Sequence, residues 1–328
     1  MNLSPNGRAG LRSINPLLMR PNLKYITHAE IDFERWDRCV AATAHPQPYG
    51  FSWYLNWVAP TWDALVYGDY EVVFPLFPRE KNGISFTTRP YGTQAVGPYS
   101  TIPLSAQWVK ALMEEAMKHF AYGEFFLSPG VALPSHWTPE KYSNFILSTK
   151  ASYEELATGY SAQTKRNLKK AQKSSLESAQ WATAQDVVRL WKQNTQDKTA
   201  ITAENIDSLS KVLEFCLYQK RGVLLAVYDE GNTLVAGQIW VQFHGRSTLL
   251  LNASSSYGKE CGAPTLLIDQ MIQLHAGSDH ILDFEGSSIP GLARFYSGFG
   301  AHDEPFYFHV ENNLPWYLRW RKPKTTRS

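Results

Sequence analysis

Asp283 and Glu285 flank Phe284 at the end of a short apolar run, HILDF at 280–284, and Gly286 follows at once. Alternate residues of a strand share a face, so the two carboxylates would project together. There one of them could take a proton from an attacking nucleophile, as a general base must. The competing reading has them capping the next helix or pairing with Arg294. A second group is basic. Lys165, Arg166, Lys169, Lys170 and Lys173 fall in SAQTKRNLKKAQKS, 161–174, with no acidic residue from 161 to 173. Positions 165, 169 and 173 stack at i, i+4 spacing, where like charges repel. A phosphate-bearing ligand would relieve that repulsion through charge-assisted bonds; so would a solvated face paired with Glu154, Glu155 or Glu177. The third group is YGKECGAP, 257–264, in which Gly258, Lys259, Gly262 and Ala263 form a glycine-containing bend ahead of a helix. Such a bend could aim backbone N–H groups at a pyrophosphate, or serve as plain turn chemistry.

These residues need elements to hold them. GVLLAVYD from Gly222, TLVAGQIWVQF at 233–243 and STLLLNAS at 247–254 alternate or run apolar between turn residues, which predicts an antiparallel meander. Apolar spacing then becomes helical over 263–276, with Pro264 in the first turn where its missing N–H costs little. A short strand at 280–284, a helix at 290–299 and a last strand at 305–311 complete the order β-β-β-α-β-α-β. The first half repeats part of it: strands at 64–68, 70–77 and 83–88, an amphipathic helix at 105–120 capped by Ser105, and a strand at 124–128. Prolines crowd 129–142, strand character returns at 143–149, and the basic helix follows. The expected architecture is α/β (α+β), with one unit over 1–142 and a second over 143–328.

Composition sets the class. The 328 residues are 44% hydrophobic and only 19% charged, with a formal charge of +2, so disordered, collagen-like and nucleic-acid-coating proteins are excluded. Cys39, Cys216 and Cys261 are odd in number and far apart, which leaves neither a disulfide framework nor a paired-cysteine zinc site. The nine histidines show no ligand spacing, and no metal is expected. Pro16 interrupts the short apolar stretch near the N-terminus, and no 18-residue apolar run occurs, so a cytoplasmic protein without a membrane span is expected. The tail from Trp316, WYLRWRKPKTTR, interleaves aromatics with cations and reads as a docked aromatic segment with a basic end, or as a contact for RNA or lipid.

The combination of SAQTKRNLKKAQKSSL, the meander and DFEGSSIPGLARFYSGFGA resembles the Fem family of peptidyltransferases, members of the GNAT acyltransferase superfamily built from two tandem GNAT-like units. The likeness covers about 143–302; the first half is similar in element order alone. The resemblance implies two units, each a mixed, mostly antiparallel sheet flanked by helices, and transfer of an acyl or aminoacyl group to an amine. It implies acyl-CoA or aminoacyl-tRNA as co-substrate, no tightly bound cofactor, and an acceptor that is nucleotide-linked or a cell-envelope precursor. Tyr296, in FYSGFG, falls where GNAT enzymes place the phenol that protonates the leaving thiolate. Gly258, Lys259, Gly262 and Ala263 overlie the start of the GNAT phosphate loop, although Lys259 replaces glutamine or arginine and Pro264 removes a backbone donor. The expected site is therefore Asp283, Glu285 and Tyr296 for proton handling, the 258–263 bend for donor phosphates, and Lys165, Arg166, Lys169 and Arg294 for substrate. The alternative is a GNAT scaffold without catalysis that binds RNA or a nucleotide conjugate.

Overall fold

Strand and helix signals in the sequence become three sheets with helices packed around them in a computed structural model that describes residues 21–178, 181–195, 201–286 and 290–319. The first half contributes β1 (Leu23–Ile26), α1 (Phe33–Ala42), α2 (Ser52–Val58), β2 (Asp63–Tyr67), β3 (Val72–Leu76), β4 (Pro78–Lys81), β5 (Ile84–Thr87), β6 (Tyr99–Ser100), α3 (Ala106–Ala116) and β7 (Tyr122–Leu127). β8 (Glu140–Tyr142) and β9 (Phe145–Ser148) form the connection. The second half adds α4 (Tyr153–Thr158), α5 (Ala162–Lys173), β10 (Glu177–Ser178), α6 (Ala184–Thr195), α7 (Ala203–Tyr218), β11 (Gly222–Tyr228), β12 (Leu234–Phe243) and β13 (Arg246–Ser254). α8 (Ser256–Cys261), α9 (Ala263–His275), β14 (Ile281–Asp283), α10 (Pro290–Ser297), β15 (His302–Asp303) and β16 (Phe306–Asn312) end it.

The predicted meander is present: β11, β12 and β13 pair antiparallel in sequence order. The seven-stranded sheet runs β10-β11-β12-β13-β14-β9-β15. The last strand departs from expectation. Rather than closing the second sheet, β16 pairs with β7 and β8 in the five-stranded sheet β4-β5-β7-β16-β8, while β9 from the connection sits in the second unit's sheet. Apolar faces explain the exchange, because Phe306 and Phe308 bury against Ala95 and Phe126 and so remove their rings from water. The halves also share a core: Trp36, Tyr49, Phe51, Tyr54 and Leu55 pack with Val212 and Cys216 of α7 and Val241 of β12.

α5 owes its position to two glycines. Its buried Thr164 and Ala171 lie seven apart on one face, Ser161 caps its first turn by accepting from the Thr164 amide, and its cations lie on the exposed side. At its N-terminal end Thr164 Oγ1 donates to the Gly298 carbonyl at 2.9 Å. Farther along, the Asn167 carbonyl oxygen occupies the space a Cβ on Gly262 would need. Gly262 also has φ +84°, a left-handed conformation that joins α8 to α9. Gly262→Ala should lose on the order of 2 kcal/mol or more, since strain and collision act together; urea unfolding measures it, and an unchanged midpoint would remove the close approach from the argument.

Candidate active site

The second sheet opens between β13 and β14. The two are parallel, and pair only over Arg246–Thr248 and Ile281–Asp283. Beyond that point β13 stays with β12 as far as Ser254, whereas the chain after Asp283 follows β9 through Phe284 N–H to Phe145 O (2.9 Å) and Phe145 N–H to Glu285 O (3.2 Å). Parallel strands that separate leave a crevice past their carboxyl ends, the place where open α/β sheets take ligands. α10 fills one side of it, with Tyr296 stacked on Phe284 at a centroid separation of 5.3 Å.

Asp283 and Glu285 have different roles. Asp283 is buried and both of its oxygens are engaged: Oδ2 accepts from Arg246 Nε at 2.8 Å, and Oδ1 accepts from the Glu285 backbone N–H at 2.9 Å. Its sequence-predicted ion pair with Arg294 does not form; Arg294 is exposed and its Nε donates to the Pro290 carbonyl. Glu285 adopts φ +62°, so the strand alternation that predicted its direction ends here, and its carboxyl meets the hydroxyl of Tyr49 from the first unit. Glu285 lies deep in the protein yet keeps some accessible surface, as a group bordering a crevice does. Burial pushes its carboxyl from 4.5 up to about 8, because low-dielectric surroundings disfavour the charged form. Tyr296 is pushed up to about 12 by burial, against a hydrogen bond from Asn252 and with a small further rise from the charge of Glu285. Asn252 in turn accepts from Gln238, whose amide oxygen accepts from the Trp240 indole. Glu285, Tyr296, Tyr49 and Asn252 thus come together from four separate segments.

An ion network holds this arrangement. Arg246 binds Asp283 and Glu304, each at 2.7 Å, with side-chain exposures of 5%, 1% and 14%, and Glu304 reaches His45 of the first unit at 3.3 Å. Burial alone would raise the Glu304 pKa; the His45 hydrogen bond and the Arg246 charge outweigh it and hold Glu304 below the usual range. Next to Glu285, Gly286 lies against the Ser143 carbonyl and the Gln94 amide, and Gln94 donates to Asn144 at 3.1 Å. The remaining amide atoms, Gln94 Oε1 and Asn144 Nδ2, and both amide atoms of Gln47, are buried without a partner among the described residues.

The other expected residues are placed as follows. Residues 258–261 form the short helix α8 rather than a loop, because Ser255 caps them by accepting from the Gly258 amide. The Lys259 amide donates to Ser255 O and that of Gly262 to Lys259 O, so these N–H groups are spent within the chain. Gly258 and Gly262 serve close packing, against Val235 O and Asn167 O, and Ala263 is buried in the first turn of α9. Lys165 Nζ donates to the Thr158 carbonyl, Arg166 to Gln163, and Lys169 is exposed. Sequence reasoning did not pick out Tyr49, Arg246, Glu304, His45, Gln47, Gln94 or Asn144. The cysteines are buried, and burial pushes the thiols of Cys39 and Cys216 up to about 12. Among the described residues no cluster of three or more His, Cys, Asp or Glu is arranged to hold a metal ion, and no helix is long and apolar enough to cross a membrane.

No protein-family profile matches the sequence, nor does any curated protein. Solved structures do. FemX superposes with a TM-score of 0.58 at 11% identity, over 87% of this chain and 96% of its own. The C-terminal domain ascribed to a lysylphosphatidylglycerol synthetase of Agrobacterium fabrum gives 0.54 at 14% identity, over 86% and 92%. A tandem GNAT protein of the clavulanic acid biosynthesis pathway gives 0.52 at 10% identity, over 89% and 99%. Identities this low establish the fold, and the fold is the mixed α/β, tandem GNAT-like one.

Two outcomes follow from the site. Between about pH 4.5 and 8 the folded chain holds one proton on Glu285 that the unfolded chain has released. Stability therefore falls as pH rises through this window, with the full cost reached above about 8. Thermal midpoints across the range should show Glu285→Gln gaining on wild type as pH rises; a constant difference would mean an ordinary carboxyl. Arg246→Ala strands buried Asp283 and should cost about 3–5 kcal/mol in chemical denaturation; a cost under about 1 kcal/mol would deny the network its structural role.

Proposed function

We propose that this chain is an acyltransferase that moves an acyl or aminoacyl group onto an amine, with Glu285 as general base and Tyr296 as proton donor. The observation carrying this reading is the buried, cation-free carboxyl of Glu285 beside a protonated phenol, where the parallel strands separate. The amine nitrogen attacks the carbonyl carbon of the activated acyl group. Glu285 accepts the proton that the nitrogen loses, the bond to the leaving oxygen or sulfur breaks, and Tyr296 protonates that atom. A base with a pKa near working pH suits the first transfer, and a phenol near 12 is still protonated and able to donate in the second. Asp283 acts as a positioning residue through its bond to the Glu285 amide.

The buried amides of Gln47, Gln94 and Asn144 support a polar substrate, because unpaired buried polar atoms are costly and rare. The spent amides of α8 and the Asn167 carbonyl against Gly262 favour an aminoacyl ester over a CoA pyrophosphate gripped at that bend. The exposed cations of α5 and Arg294 then suit the polyanionic part of such a donor, which favours aminoacyl-tRNA of the two co-substrates the resemblance implies, acyl-CoA and aminoacyl-tRNA.

The test starts from a thermal-shift panel of acyl-CoAs, aminoacyl-tRNAs and nucleotide-linked amines, since a ligand of the native state raises its apparent stability. With the donor so found, Glu285→Gln should lower kcat by about 10²-fold or more, and the wild-type rate should climb with pH to a plateau above about 8. Tyr49→Phe removes a donor to the ionised carboxyl and should move that plateau to higher pH. Equal turnover by Glu285→Gln would end the general-base assignment.

A further inference from the structure

The hydrogen-bond polarity of one buried indole reaches the phenol of Tyr296. Gln238 and Trp240 alternate on β12, so their side chains share a face, and both are fully buried. An indole nitrogen only donates, and Trp240 Nε1 donates to Gln238 Oε1 at 3.2 Å. A carbonyl only accepts, and the Pro264 oxygen accepts from Gln238 Nε2 at 3.3 Å. The Gln238 amide is thus oriented from both ends, its oxygen toward Trp240 and its nitrogen toward α9. The same nitrogen donates to Asn252 Oδ1 at 3.3 Å, directly across the β12–β13 pair. With its oxygen turned to Gln238, Asn252 presents its nitrogen to Tyr296, and the bond there runs from the amide to the phenol oxygen. Ring packing holds the phenol in place: Trp240 meets Phe284 edge to face at 5.8 Å, and Phe284 stacks on Tyr296.

We infer that Trp240, Gln238 and Asn252 are positioning residues for the proton of Tyr296: the chain makes the phenol oxygen an acceptor on its Asn252 side and so keeps its hydrogen for the leaving atom. This rests on the reading of Tyr296 as proton donor. When the bond from the acyl carbon to the leaving oxygen or sulfur breaks, that atom keeps the bonding pair and takes the Tyr296 proton, which water later restores. The phenolate formed in between receives an amide N–H already in place, and hydrogen bonds to an ionised oxygen are the stronger kind. A lone asparagine could as readily turn its oxygen to the phenol and draw the proton toward itself. Gln238 opposes that turn. Flipping Asn252 would set two N–H groups against each other, and flipping Gln238 as well would set its nitrogen against the indole and its oxygen against the Pro264 carbonyl. Unpaired polar atoms at such depth are costly.

The acid constant of the phenol tests this without any substrate. With a difluorinated tyrosine incorporated at Tyr296, the phenol titrates over a milder pH range and its fluorine resonance reports this one site among the 17 tyrosines. Asn252→Leu should lower the acid constant by about tenfold or more, because the phenolate loses its donor. Asn252→Asp, which keeps the shape but replaces the N–H by an acceptor, should lower it further. The Asn252 side chain is only half-buried, so both variants should fold. Gln238→Met, read below its thermal midpoint, leaves Asn252 free to turn and should lower the acid constant by about threefold. An acid constant unchanged by Asn252→Leu would overturn the inference whatever the activity. A lowered acid constant together with wild-type turnover by Tyr296→Phe would instead overturn the proton-donor reading, and with it the catalytic meaning of the chain.

Discussion

The arrangement depends on one buried cation. Arg246 opens β13 and is sealed between Asp283 of β14 and Glu304 ahead of β16, with His45 of the first unit beyond Glu304. Removing three charges from water is expensive, and the cost is met here by short, well-directed bonds rather than by Coulomb attraction alone. What the network gains is position. It ties two strands and both halves of the chain to one guanidinium, and the second oxygen of Asp283 fixes the amide of Glu285. The left-handed turn at Glu285 accompanies that bond, at the point where β14 and β13 part.

Three acids in this half of the molecule show how environment separates a structural carboxyl from a reactive one. Asp269 is 1% exposed but receives the hydroxyls of Tyr153 and Tyr160 and the amide of Gln273, a full set of donors that pins α4 to α9. Asp283 is as deeply buried and has a guanidinium and an amide. Glu285 has a neutral hydroxyl from Tyr49 and, among the described residues, no cation, so burial pushes its carboxyl up to about 8. Perturbation by burial without a counter-charge, at a strand divergence, distinguishes it from its neighbours.

Much of this was legible from residue patterns. The second-half elements that were predicted lie within a few residues of their expected bounds, since alternation and helical spacing are local properties, whereas α4, α6, α7 and α8 were not anticipated; the amphipathic helix at 105–120 failed only in its length, ending at Ala116. Asp283, Glu285 and Tyr296 share a region because sequence proximity and the GNAT-like pattern pointed there. Arg246 was hidden for a definite reason: HGR reads as turn, and the pairing of its third residue with β12 and β14 shows that it is already inside the sheet, 4% exposed. Tyr49 and His45 were invisible because their partners lie more than 200 positions away. The destination of β16 was equally non-local, since a strand's own pattern says it must pair but not with which sheet.

The basic helix carries the remaining lesson. α5 is seated near its start on Gly298, just past α10, and at its middle on Gly262, between α8 and α9, so its orientation is fixed: Thr164 and Ala171 are buried and the cations exposed. Lys165 is tied to the Thr158 carbonyl and Arg166 to Gln163, while Lys169 is open to solvent. Screening at physiological salt limits unbonded charge effects to about 8 Å. Any contribution of Lys165, Arg166 and Lys169 to binding therefore acts on a charged group that comes up to the exposed side of α5. Burial on one face and exposure on the other is what an amphipathic helix owes to its sequence: the apolar and small residues set its seat, and the charges are left for whatever meets the surface.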